Sequence, residues 1–213
     1  MHEQGARLLV LTLNGFYQKL LLYKKSDVFL IGIDGCGGSG KSTLAKEIAN
    51  VSDGVFVHID DFYHPSSEQE KHRKEIGGMF DWRRLRDQVC MPLANKQTAH
   101  YQRYDWPSDS LKEWHEIQPK GTIVIEGISA TRDELTSFYD VLIFVDTPYD
   151  VRLRRGIERD GEEMRSMWVD VWMPAEELYM KAQAPMARAN FVVDGSGENG
   201  DITEGVIVLK DSN

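Results

Sequence analysis

Short, wholly apolar runs alternate with segments of helical spacing along most of the chain. Val28 to Ile33 (VFLIGI) reads as a buried strand that stops at Asp34 and a glycine cluster. Val55 to Ile59 (VFVHI) is followed by Asp60 and Asp61, Thr122 to Ile125 (TIVI) by Glu126, and Val141 to Val145 (VLIFV) by Asp146. Phe191 to Val193 gives a fifth strand, and Ile202 to Leu209 predicts a last one at an edge. Strands apolar on both faces belong to parallel sheets covered on both sides. The intervening spacing predicts helices over Ser42–Asn50, Trp82–Met91, Tyr149–Arg159 and Pro174–Ala184. Leu9, Leu13, Phe16, Leu20 and Tyr23 predict an amphipathic helix over Arg7–Tyr23, weakened by Gly15. Ser66–Gly78 is polar and unpatterned, so it predicts a mobile loop. The pattern implies a three-layer α/β fold with a parallel sheet of about five strands flanked by helices. No repeat or linker divides residues 1–213, which are expected to form one domain with an N-terminal helical segment over 1–27.

Ligands of such sheets bind beyond the carboxyl ends of the strands. The richest such end is Gly35 to Ser42, GCGGSGKS, between a strand and a helix. It matches the pattern Gly, four residues, Gly, Lys, Ser/Thr of a P-loop. Glycines let the backbone turn its N–H groups onto a phosphate, and the following helix aims its positive end at the same anion. Gly35, Gly37, Gly38, Ser39, Gly40, Lys41, Ser42 and Thr43 are therefore the candidate nucleotide-binding residues. Lys41 would charge-balance the terminal phosphates, and Ser42 would offer its hydroxyl to Mg²⁺. The same glycines fit a dinucleotide pattern, Gly35, Gly37 and Gly40 with Asp60 twenty residues on. Lys41 favours the triphosphate, because a dinucleotide needs no cation there. No Asn-Lys-x-Asp guanine signature is present, since Asn95-Lys96 is followed by Gln97-Thr98. No strand ends in the Asp-Glu pair of transport and motor ATPases.

Lys plus Arg is 25 and Asp plus Glu 34, a net charge of −9. That balance argues against a general nucleic-acid or anionic-membrane surface. Two cysteines, Cys36 and Cys90, exclude a disulfide scaffold and fit a reduced, cytoplasmic setting. The run Leu8–Leu13 is too short for a membrane span, no targeting segment is read, and the six histidines show no zinc spacing. A homo-oligomer is left open.

Four stretches together resemble the uridine kinase and phosphoribulokinase group of P-loop kinases: GIDGCGGSGKST from Gly32, DDFYHP from Asp60, VIEGI from Val124 and FVDTPYDVRLRRGIERD from Phe144. FDW from Phe80 and RYDW from Arg103 are shorter echoes in the same order. The resemblance implies ATP- and Mg²⁺-dependent phosphoryl transfer to a hydroxyl of a small metabolite, with a nucleoside the first expectation. It makes Asp60 the base that takes the hydroxyl proton, with Asp61 a loop carboxylate capping the next turn. It puts Glu126 near Mg²⁺ and Tyr63, Tyr104 and Trp106 at the acceptor. It also makes residues of about 150–185 a mobile lid with its following helices. There Arg152, Arg155 and Arg159 share one helical face at i, i+3 and i+7 and would meet the charge of the transferring phosphoryl group. Arg154 falls off that face, as a solvated charge or a partner of Glu158.

The departures lie at the acceptor. Uridine kinases carry Asn-Phe-Asp-His-Pro before the Phe-Asp seen at Phe80 and Asp81, where this chain has Lys74, Glu75, Ile76 and Gly77. Their His five residues past the tyrosine matching Tyr104 is Asp109, their Phe is Trp106, and Gly161, Glu162 and Glu163 replace an Arg-Gly-Arg. Glu75 is a candidate ribose contact and Asp109 a candidate acceptor of an N–H from the substrate. A non-catalytic nucleotide sensor would keep the phosphate loop without needing the base at Asp60.

Overall fold

The computed structural model describes residues 9–212. Its strands are β1 (Leu9–Leu11), β2 (Val28–Asp34), β3 (Val55–His58), β4 (Ala99–Asp105), β5 (Ser110–Ile117), β6 (Gly121–Glu126), β7 (Val141–Asp146), β8 (Phe191–Asp194) and β9 (Val206–Asp211). The α-helices are α1 (Leu13–Leu20), α2 (Lys41–Ser52), α3 (Ser66–His72), α4 (Trp82–Leu85), α5 (Met91–Ala94), α6 (Tyr149–Asp160), α7 (Arg165–Met167), α8 (Met173–Gln183) and α9 (Pro185–Arg188).

One sheet runs in the order β1-β9-β8-β7-β2-β6-β3. Its five strands from β8 to β3 are parallel, as the apolar runs predict. Every residue of β2 is buried, yet its side chains still alternate. Val28 and Leu30 enter the core layer with Trp82, Leu85, Val89 and Leu93, and Phe29, Ile31 and Ile33 enter the opposite one with Leu44 and Ile48 of α2. All the acidic strand ends therefore emerge on one edge, above the turn into α2.

Several expectations are corrected. The N-terminal helix starts at Leu13, and residues 7 and 8 of its expected span lie outside the described residues. Leu9–Leu11 instead pairs antiparallel with β9, and the Thr12 hydroxyl accepts the Gly15 N–H at 3.1 Å, which sets the helix start at that point. Ser66–His72 is a helix, not a loop; none of its residues is buried, so it leaves no apolar period to read. The last strand begins at Val206, because the N–H groups of Glu204 and Gly205 turn back onto Asp201 O, and it is not at an edge as expected: it lies between β8 and β1, which takes the edge. The helix after Trp82 continues through a π-helical turn, Arg86–Cys90, to Ala94. A second π-helical turn, Trp168–Trp172, leads into α8 one residue earlier than expected. The β4–β5 hairpin, a separate two-stranded sheet, has no counterpart in the sequence reading. Among the described residues no helix is long and apolar enough to cross a membrane.

The N-terminal segment is part of the core. Phe16 is fully buried and meets Phe191 edge-on at 5.4 Å. Phe16→Ala should cost about 3–5 kcal/mol, the range for a buried aromatic truncated to a cavity. A urea melt checks it: an unchanged midpoint would mean that α1 does not pack on the sheet.

Candidate active site

The turn from β2 into α2 carries the glycine loop. Gly38 and Gly40 take φ of +75° and +93°, the left-handed region that favours glycine. A Cβ on Gly38 would also lie 2.6 Å from Arg152 O, so the backbone there has no room for a side chain. Lys41 opens α2, and its Nζ donates to Cys36 O at 3.3 Å. Gly37, Lys41 and Ser42 face a cleft of about 1250 Å³ that continues over Asp60, Tyr63, Trp106 and Arg159. Gly37, the start of α2 and the Lys41 ammonium thus border one concave surface, an arrangement suited to phosphate.

The cation side of the cleft is built by β6 and β3. Ser42 Oγ donates to Glu126 Oε1 at 3.1 Å, and His58 Nδ1 lies 2.7 Å from the same oxygen. Burial opposes ionisation of Glu126, but His58, Lys41 and Ser42 outweigh it and hold the carboxyl below its ordinary range. Burial likewise opposes a charged His58, and the carboxylates of Glu126, Asp60 and Asp61 reverse that and raise it. Glu126 Oε2 is buried without a hydrogen-bond partner. A hydroxyl beside an orphaned carboxylate oxygen suits Mg²⁺, which keeps most of its waters and needs few protein ligands. Among the described residues no cluster of three or more His, Cys, Asp or Glu forms a fuller metal cage.

The two adjacent acids after β3 part company. Asp60 faces the cleft, and burial raises its pKa against the opposing pull of His58 and Lys41. Asp61 accepts from the Tyr101 hydroxyl at 3.2 Å and pairs with Arg103 Nε at 3.1 Å, tying the turn to the hairpin rather than capping it.

The three aligned arginines also separate. Of the three only Arg159 faces the cleft, and it is paired to Asp160 through both Nε and Nη2, at 2.7 and 2.9 Å. Arg152 is buried, donating to Thr147 O at 3.2 Å and Glu176 Oε2 at 3.0 Å. Arg155 holds the carbonyls of Gly38, Gly195 and Ser196 at 3.2, 2.7 and 2.9 Å, so it braces the glycine loop from behind. Arg154 is exposed. Ser39 is buried and its carbonyl accepts from the Thr147 hydroxyl at 2.9 Å, while Thr43 is exposed on the first turn of α2. A Cβ on Gly35 would lie 2.7 Å from Val145 O, so β7 abuts the loop's first residue.

Residues 30–192 match the model of the Phosphoribulokinase / Uridine kinase family. The chain belongs to that family. It is 29% identical over 184 residues to a uridine kinase of Halobacterium salinarum, covering 80% of this chain and 81% of that protein. Identity to a uridine kinase of Alkaliphilus metalliredigens is 31% over 187 residues, covering 79% and 88%. The fold is that of a Bacillus stearothermophilus structure described as a possible uridine kinase, with TM-score 0.62, 22% identity and coverage of 84% and 96%. Kinase relatives favour the triphosphate over the dinucleotide reading of the glycines.

Tyr63 lies 4.6 Å from Trp106 and 5.5 Å from Phe80, ring centre to ring centre, and all three line the cleft. Tyr104 stands behind them, 5.4 Å from Tyr63, with its hydroxyl donating to Asp109 at 2.7 Å. Asp109 also accepts the Ser66 N–H at 2.9 Å. The Ser66 and Tyr104 hydrogen bonds, both on Oδ1, hold its carboxyl below the ordinary range, and Asp109 is not among the residues that line the cleft. Glu75 faces the cleft but is gripped by Arg83 at 2.9 Å and His72 at 3.0 Å.

Sequence reasoning missed His58 and Glu176. Glu176 Oε1 accepts the Gly37 N–H at 2.8 Å, bringing α8 onto the phosphate loop. The available signal was Glu176 and Tyr179 at i and i+3, two polar groups on the inward face of α8. Lys41→Ala should cut nucleotide binding or turnover by at least about 100-fold with the fold intact. Calorimetry with Mg-ATP and circular dichroism check it; unchanged binding in a folded variant would remove the phosphate-loop assignment.

Proposed function

We propose that the protein transfers the γ-phosphate of ATP to a hydroxyl of a small metabolite, with Asp60 as general base. The observation that carries this is Asp60 facing the same cleft as Lys41 while Asp61 is committed to Tyr101 and Arg103. Asp60 takes the hydroxyl proton as the acceptor oxygen bonds to phosphorus and the bond to the bridging oxygen breaks, releasing ADP. The loop from Gly35 to Thr43 wraps the phosphates, and Lys41 meets their charge. Ser42 and Glu126 would hold Mg²⁺, which would supply charge withdrawal from the phosphate oxygens. Arg159 meets the transferring group, while Arg152 and Arg155 position the loop and α8. The helices of about 150–185 act as the lid. Tyr63 and Trp106 flank the acceptor, with Tyr104 supporting both.

A nucleoside acceptor would need partners that this site has spent elsewhere. Asp109 Oδ1 is taken by Ser66 and Tyr104 away from the cleft lining, and Glu75 is paired with Arg83 and His72. A non-nucleoside metabolite is the reading those pairings favour. Uridine and cytidine should therefore be poor substrates in a competition with other nucleosides and non-nucleoside alcohols at limiting ATP, read by mass spectrometry. Uridine winning with about 10⁴ M⁻¹s⁻¹ or better would restore the family acceptor.

Asp60→Asn should lower kcat by about 100-fold or more with ATP affinity nearly intact, because the lost proton transfer belongs to the transition state. Asp61→Asn should be mild. The reverse ranking would move the base by one residue.

The base works ionised, and burial raises its pKa. So kcat should fall with decreasing pH at a point above the ordinary aspartate value of about 3.9. A kcat–pH profile with its acid limb at or below that value would contradict Asp60 as the base.

A further inference from the structure

We propose that His58 is a positioning residue of the transfer reaction: it fixes the Glu126 carboxylate so that Oε2 and the Ser42 hydroxyl oxygen stay available to Mg²⁺ and its waters. The proposal rests on the kinase reading and adds a residue that neither the glycine loop nor the strand-end acids bring with them.

β3 ends the sheet and runs parallel to β6, with His58 in register with Glu126. Paired residues of neighbouring strands point to the same face, so the register itself brings imidazole to carboxylate. Phe56, two residues earlier, shares that face and packs on the core layer that holds Leu44 and Ile48 of α2. Its ring meets the His58 ring edge-on at 5.1 Å and fixes its plane. The His58 side chain is 32% exposed, and it lines the cleft with Lys41, Ser42 and Asp60.

The contacts of Glu126 are lopsided. Its side chain is wholly buried, and a carboxylate has two oxygens to satisfy. Oε1 faces both the Ser42 hydroxyl at 3.1 Å and His58 Nδ1 at 2.7 Å, while Oε2 has no hydrogen-bond partner. A ring nitrogen that close to a carboxylate oxygen repels it unless a proton lies between them, so Nδ1 carries one. The serine hydroxyl can rotate, but the imidazole is held by its strand and by Phe56. His58 is therefore the group that decides which way the carboxylate is turned.

With Oε1 claimed, Oε2 is the oxygen left for a cation-bound water. The Ser42 proton is spent on Oε1, so the lone pairs of its oxygen are left for the cation. Without the imidazole, the Lys41 charge, which already acts on Glu126, would compete for the carboxylate. A lysine paired with Glu126 is lost to the phosphates, and the cation loses its oxygen at the same time. Groups that orient the ligands of a metal typically govern its affinity by about 10- to 100-fold.

The test measures the coupling between cation and nucleotide. The whole chain is titrated calorimetrically with a non-hydrolysable ATP analogue, once with Mg²⁺ and once with EDTA, and the ratio of the two affinities is read. The unaltered protein should give a ratio clearly above one. His58→Phe keeps a flat ring beside Phe56 and deletes the donor. It should bring the ratio close to one, with the EDTA affinity changed less than about threefold, and raise the Mg²⁺ concentration for half-maximal turnover at least about tenfold. His58→Asn, whose amide N–H can stand where the Nδ1 proton stands, should recover part of both. Should His58→Phe fail to fold, His58→Ala takes its place under the same criteria. A variant with the ratio of the unaltered protein overturns the proposal, as does an equal loss with Mg²⁺ and with EDTA, the mark of a general structural defect. A His58→Asn protein no better than His58→Phe overturns it too. An unaltered protein that does not bind the analogue under either condition overturns the kinase reading instead. One that binds it equally under both and still phosphorylates an alcohol keeps the kinase reading and loses the role of His58.

Discussion

One buried carboxylate ties the working parts of the structure together. Asp34, at the end of β2, is wholly buried and accepts from Gly35 N–H, Ser129 N–H, Thr131 N–H, the Thr131 hydroxyl and the Tyr179 hydroxyl, at 2.7 to 3.2 Å. Burial raises its pKa against these donors. The first donor opens the phosphate loop, the next three belong to the loop after β6, and the last to α8. An unsatisfied buried carboxylate is so costly that the three segments are held in register by the need to surround it. The glycine loop, the loop after β6 and α8 are therefore not independently adjustable.

That constraint explains which parts of the site were legible. The strands with both faces buried have no competing reading, and the glycine loop with Lys41 and Ser42 follows a spacing that few other structures need. Asp60 was legible because it follows an apolar strand parallel to the one that carries that loop, with β6 between them. Asp34 was visible only as a strand terminus; nothing local reveals that donors from residues 129, 131 and 179 meet there. The arginines show the limit of a helical wheel. Arg152, Arg155 and Arg159 do lie on one face, but their depth along α6 sends the first into Glu176, the second into backbone carbonyls and only the third into the cleft.

The less legible fold elements share a physical cause. In β4 the residues Ala99, Tyr101 and Tyr104 are buried among exposed or half-buried ones, with a register shift between Gln102 and Tyr104 that breaks the alternation. In α3 no residue is buried, so helix formation there rests on Pro65 before it and local pairs such as Lys71 with Glu68 at 2.6 Å. Residues of α3 and Trp106, just after β4, border the cleft. The region least determined by the sheet is also the region where the chain departs from uridine kinases, as expected where side-chain chemistry, not core packing, sets the structure.

Glu176 completes the picture at the other end. Its carboxylate takes the Gly37 N–H that a glycine loop would otherwise offer to a phosphate, and Arg152 balances its charge. Burial raises its pKa, so the pair is held by geometry more than by favourable solvation. Trp168 closes the same corner: a Cβ on Gly37 would stand 2.9 Å from its ring and one on Gly156 2.4 Å. Glycine at 37 and 156 is thus required by the approach of one indole, not by chain flexibility. The carboxylate of α8 thus satisfies the loop's Gly37 donor and is itself held by Arg152, so α6, α8 and the glycine loop are fixed to one another at this corner.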